Sequence, residues 1–148
     1  MGEFCRLDAR CKAAVLLDAG WTLEFAPDLK RLGLPKPFLS MNSTIDPFPG
    51  LAGYPAWLVD TRALFTNAIN NAFWLQIQDS THSSFDDRDS VMNDSFRTSG
   101  PTPASRAISQ TIRACTLSFF DKYLKNQDDH LLDNPAAVYP NIINFQRK

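Results

Sequence analysis

The strongest constraint on this chain is that short apolar runs alternate with segments of helical character. Residues 12–17 (KAAVLL) are bounded by charge before and by Asp18-Ala19-Gly20 after, and read as a strand buried on both faces of a sheet. Residues 37–41 (PFLSM) form a second apolar run, ending where Asn42-Ser43-Thr44 turn polar. Residues 72–77 (AFWLQI) form a third, rich in aromatics, ending in Gln78-Asp79-Ser80-Thr81-His82. Between the first two, residues 27–33 suit one or two helical turns, with Pro27 at a first helical position and Gly33 as a stop. The Pro- and Gly-rich stretch 46–54 is loop. Residues 56–69 then place Trp57, Leu58, Leu64, Phe65, Ala68 and Ile69 on one broad helical face.

Past the third run, residues 83–103 are polar. Thr102 as N-cap and Pro103 at the first position open a long helix. Ile108, Ile112, Cys115, Phe119 and Tyr123 repeat along it at steps of three and four, and Phe120 and Leu124 widen the stripe. Residues 126–148 read as an irregular tail docked by Leu131, Leu132, Tyr139 and Phe145.

Strands separated by helical crossovers predict an α/β fold with a parallel sheet. Three strands and two good helices are too few for a complete doubly wound domain. Residues 1–148 are therefore expected to form the C-terminal part of such a sheet, an incomplete domain whose other strands lie upstream. Eleven Phe and three Trp among the 148 residues supply ample apolar area for a core and argue against disorder. A net charge of -1 gives no strong field to hold nucleic acid or an acidic membrane. No apolar stretch approaches the roughly 20 residues of a membrane span, and residues 1–10 lack the apolar region of a signal peptide.

Cys5, Cys11 and Cys115 include no C-x-x-C pair, so a zinc cluster is not expected. They allow one disulfide and a free thiol, or three packed thiols, which is the favoured reading. Asn42-Ser43-Thr44 and Asn93-Asp94-Ser95 are glycosylation sequons that matter only in a secretory context. They leave the compartment open, with secretion of a parent protein as one expectation.

In an open parallel sheet, ligands gather at the carboxyl ends of the strands. Asp18 directly follows the first strand, Asp46 lies a few residues past the second, and His82 a few past the third. Parallel topology puts all three on one rim. A carboxylate and an imidazole there are two thirds of a nucleophilic triad, the acid orienting the ring and the ring acting as general base. The serine is missing, since none of the six glycines takes part in a G-x-S-x-G. Where that motif occurs, the chain order is Ser, acid, His, which Asp18 then His82 fits if the serine precedes Met1.

Bland readings stand beside these. Asp18 can be a turn former, Asp46-Pro47 suits plain turn chemistry, and a loop histidine is commonly a solvated one. The acid role goes first to Asp18, with Asp46 as the alternative. His130 reads as surface. Asp79, Asp86, Asp87 and Asp89 lack the Gly and Glu of a calcium loop and read as solvated, so no metal is expected. Trp57, Phe65, Phe73 and Trp74 could line a lipid pocket but read as core.

Four segments carry a family resemblance. The run from Asp8 through Leu17-Asp18-Ala19-Gly20-Trp21 resembles the apolar strand ending in L-D-x-W or L-D-x-x-W of platelet-activating factor acetylhydrolases. Gly20 stands as an insertion against the shorter form. Lys36-Pro37-Phe38-Leu39-Ser40-Met41-Asn42-Ser43 is similar to the next family strand, K-P-L-L-x-x-N-S. Thr81-His82-Ser83-Ser84-Phe85-Asp86-Asp87 is similar to the histidine motif H-x-x-F-[ST]-D, with Asp86 directly after Phe85 as a departure. Phe119-Phe120-Asp121-Lys122-Tyr123-Leu124-Lys125, Leu131-Leu132-Asp133 and Tyr139-Pro140 resemble the last helix and tail of microbial and dienelactone-hydrolase-like members.

The resemblance implies the C-terminal portion of an α/β-hydrolase and a Ca²⁺-independent serine esterase. Such an enzyme releases short or oxidised sn-2 acyl groups from phospholipids without cofactor or metal. It would place the triad acid at Asp18 and the base at His82. With the nucleophile half absent, these 148 residues are expected to be inactive alone. A non-catalytic pseudoenzyme or binding fragment is one alternative. Another α/β-hydrolase, such as a dienelactone hydrolase or a polyester or triglyceride esterase, is the other.

Overall fold

A single sheet takes up all three apolar runs. In this computed structural model, residues 8–19, 27–45, 54–86 and 102–148 are described. The strands β1 (Ala14–Leu17), β2 (Phe38–Asn42) and β3 (Ala72–Ile77) lie side by side in that order and run parallel. The crossovers between them contain α1 (Pro27–Leu32) and α2 (Tyr54–Thr66). A third helix, α3 (Pro103–Leu124), follows. The expected α/β architecture is therefore present as an open, mostly parallel sheet with flanking helices.

Side-chain alternation along the strands sorts the core into two faces. Val15, Leu39 and Phe73 share one rung of the sheet and belong to the core packed on α3 through Ile108, Ile112, Cys115 and Phe119. On the next rung, Leu16 and Trp74 point to the other face, where Leu29 of α1 and Leu64 and Phe65 of α2 cover them. Helices thus cover both faces, which is why the strand runs show no polar alternation. Phe65, Phe73 and Trp74 are core, as read from the sequence. The α3 face is aromatic at its centre, with Phe119 edge-on to Phe73 at 6.2 Å between centroids and 4.9 Å from Tyr123.

Helix ends follow the local signals. Thr102 Oγ1 accepts from the Ser105 N–H at 3.1 Å, and Pro103 occupies the first helical position. Gly33 ends α1 with φ +72°, its N–H bonding the Leu29 carbonyl at 2.9 Å.

Four expectations need correction. The strand β1 is not buried on both faces. It lies at the sheet edge, where its residues are half-buried and Leu17 is exposed. The tail is not wholly irregular, because β4 (Ile142–Arg147) pairs antiparallel with β3 and makes the sheet mixed. A register shift opposite Trp74 and Gln76, with Asn144 at φ +53°, breaks the period of two by which a strand is recognised. Leu124 and Ile69 are exposed rather than part of their stripes, one at the last turn of α3 and the other past the end of α2. Cys11 is disulfide-bonded, and among the described residues Cys115 is a free, buried thiol. Spacing along the chain carries no information on which sulfurs approach in space.

The polar residue Asn42 is buried at the end of β2. Its Nδ2 donates to the Leu75 carbonyl at 3.0 Å, so the first sequon is a packed strand residue. No described helix is long and apolar enough to cross a membrane.

Candidate functional site

The three parallel strands end on a common rim, and each contributes a polar side chain there. Asp18 directly follows β1 and is buried. Its backbone turns at φ +48°, a left-handed conformation that Asp tolerates better than most residues. The Asp18 N–H still bonds the Met41 carbonyl of β2 at 2.8 Å, so the turn begins while the residue is anchored to the sheet. Ser43 directly follows β2 and is also buried. Its backbone N–H donates to Asp18 Oδ1 and its hydroxyl to Asp18 Oδ2, both at 2.9 Å.

The connection after β3 carries the imidazole. Ile77 ends the strand, residues 78–81 turn, and His82 opens a 3₁₀ turn, His82–Phe85. Ser84 Oγ accepts the Thr81 N–H at 3.1 Å, closing that turn from its start. Phe85 packs against the α3-side core and anchors it from below. His82 Nδ1 then lies 3.0 Å from Asp18 Oδ2. An ionised carboxylate only accepts, so the ring nitrogen is the donor, and in the neutral ring the basic lone pair resides on Nε2. That is the tautomer a general base needs.

Buried Ser80 ties the rim together. Its carbonyl accepts from the N–H groups of Thr44 and Ile45, at 3.2 and 3.0 Å, and its hydroxyl donates to the Ile77 carbonyl at 2.6 Å. Thr44 Oγ1 adds a bond to the same Ile77 carbonyl at 3.3 Å. The loop that holds Ser43 is thereby fastened to the loop that leads to His82.

The structure brings together Asp18 and His82, which the sequence placed on one rim. Asp46, the alternative acid, lies outside the described residues, as do Asp87 and Asp89. His130 is exposed and bonds Asp133 through Nδ1 at 3.2 Å, away from the rim. The sequence reading missed Ser43 and Ser80. The available signal was a serine just past each of two apolar strands, where a buried hydroxyl needs a partner.

Among the described residues, no group of three or more His, Cys, Asp or Glu is arranged to hold a metal ion. Comparison with protein-family models, with curated proteins and with solved structures returns no match to this chain.

Proposed function

We propose that this chain carries the acid and base of a serine esterase of α/β-hydrolase type, acting on short sn-2 acyl esters of phospholipids. The nucleophilic serine comes from polypeptide that these 148 residues do not include. The observation that supports this most is the 3.0 Å contact between His82 Nδ1 and buried Asp18 at the carboxyl ends of parallel strands. The lipid-ester substrate rests on the resemblance to platelet-activating factor acetylhydrolases in the segments around Asp18, Asn42-Ser43, His82 and Phe119.

In this reading, His82 Nε2 takes the proton of the attacking serine and returns it to the departing alkoxide. Water then repeats the cycle on the acyl-enzyme. Asp18 fixes the ring orientation and offsets the charge of the imidazolium without itself taking the proton. Backbone amides elsewhere in the complete site bind the oxyanion.

The test joins this chain to the segment encoding a G-x-S-x-G elbow and measures hydrolysis of a short-chain p-nitrophenyl ester and of an sn-2 acetyl phospholipid. Turnover that falls about 10³-fold or more in His82→Gln supports the reading. Turnover that survives the substitution refutes it.

A further inference from the structure

We infer that Ser43 is a positioning residue for the Asp18–His82 pair, its hydroxyl setting the plane of the carboxylate that His82 meets. The inference rests on the proposed acid–base role of that pair. A carboxylate on a flexible Cβ–Cγ bond has a broad, two-fold torsion and does not choose its own plane. Ser43 grips both oxygens at once, the backbone N–H on Oδ1 and the hydroxyl on Oδ2, each at 2.9 Å. Two bonds from one residue to two atoms of a planar group stop rotation, whereas either bond alone leaves a pivot. The oxygen held by the hydroxyl is the one 3.0 Å from His82 Nδ1.

The backbone around the pair fits this role. Asp18 sits in the left-handed region at φ +48°, a conformation that costs energy in an L-residue and persists only where the surroundings fix it. Ser43 lies one residue past β2, two residues beyond Met41, whose pairing with Leu17 is the last rung that β1 and β2 share. Its own carbonyl takes a bond from Gln76 Nε2 of β3 at 3.4 Å. The hydroxyl is therefore mounted on the sheet rather than on a mobile loop, and it is buried from competing water.

The experiment is nitrogen-edited proton NMR on the intact 148-residue chain, following the His82 Nδ1–H resonance assigned by its loss in His82→Gln. In the wild-type chain this proton is shifted downfield and protected from exchange by Asp18. In Ser43→Ala it moves upfield and exchanges roughly tenfold faster or more, as loss of a bond to a charged group requires. Thr44→Ala removes a hydroxyl from the same turn that bonds Ile77 rather than Asp18, and moves the resonance clearly less than Ser43→Ala does. An unshifted, equally protected proton in Ser43→Ala overturns the inference while leaving the pair intact. Equal shifts in Ser43→Ala and Thr44→Ala also overturn it, because they report loosening of the turn. Absence of the resonance in the wild-type chain overturns both the inference and the acid–base reading. A protected proton that responds to Ser43→Ala, in a chain whose joined form hydrolyses no ester, removes the esterase and keeps the positioning.

Discussion

His82 meets Asp18 across 64 residues of chain, Nδ1 to Oδ2 at 3.0 Å. The contact depends on β1 and β3 running in the same direction with β2 between them. Reversing either strand would put the two groups on opposite rims of the sheet. The pairing is thus a property of topology first and of side-chain chemistry second.

Under the proposed esterase reading, the choice of acid can be decided by substitution in the chain joined to a nucleophile segment. Asp18→Asn keeps the shape but offers an amide in place of an accepting carboxylate, so kcat should fall about 10⁴-fold. Asp46→Asn should leave kcat essentially unchanged. Steady-state kinetics on a soluble ester checks both, and the reverse ranking would transfer the role to Asp46.

Phe119 carries the packing of α3 on the sheet. It is fully buried and touches Phe73, Phe120 and Tyr123. Phe119→Ala should destabilise the chain by about 3–5 kcal/mol, through lost burial and the cavity left behind. Urea denaturation followed by tryptophan fluorescence measures this, and a cost below about 1 kcal/mol would mean that α3 contributes little to the core.

Gly33 joins α1 to the end of α2. It adopts φ +72°, and a Cβ there would run into the carbonyl oxygen of Asn67. Asn67 is itself committed, since its Nδ2 donates to the Lys30 carbonyl at 2.8 Å. Gly33→Ala should therefore cost about 2 kcal/mol or more, combining left-handed strain with displacement of that backbone. A thermal melt unchanged by the substitution would contradict the described turn.

Cys115 is a buried thiol held out of reach. Burial, aided by the negative charge of Asp129, pushes it up to about 12 from an ordinary value near 9. The folded chain should resist a thiol reagent at pH 8 that labels it promptly in denaturant. Between the two values the unfolded chain ionises this group and the folded chain does not, so stability falls as pH rises through that window. Cys115→Ala should show a shallower loss of stability from pH 9 to 11, measured by urea midpoints. Equal slopes would remove Cys115 as a contributor.

The elements most legible in sequence were those whose local signals agree with their packing. Residues 72–77 became β3 at those bounds, and Thr102-Pro103 opened α3 as its capping chemistry requires. The common rim for Asp18 and His82 was legible because parallel order follows from alternating strands and helices. The half-burial of β1 was not, because an apolar run of six residues looks the same half covered as buried on both faces. The strand β4 was hidden by its bulge and by Asn144, whose left-handed backbone breaks the pattern that defines a strand. Ser43 and Ser80 were hidden for another reason. A serine after a strand is ordinary turn chemistry until its hydrogen-bond partner is known, and both partners are remote in sequence or in the backbone.

Ser80, by lacing the second and third rim loops together, has a bearing on timing. The geometry between Asp18 and His82 is settled by bonds within this chain, so under the proposed esterase reading a nucleophile would find its proton acceptor already aimed. The ordering entropy of the pair is then incurred when the chain folds and, under that reading, would not be incurred at each encounter with substrate. Such preorganisation is the form of help that lowers a barrier without tightening the hold on substrate.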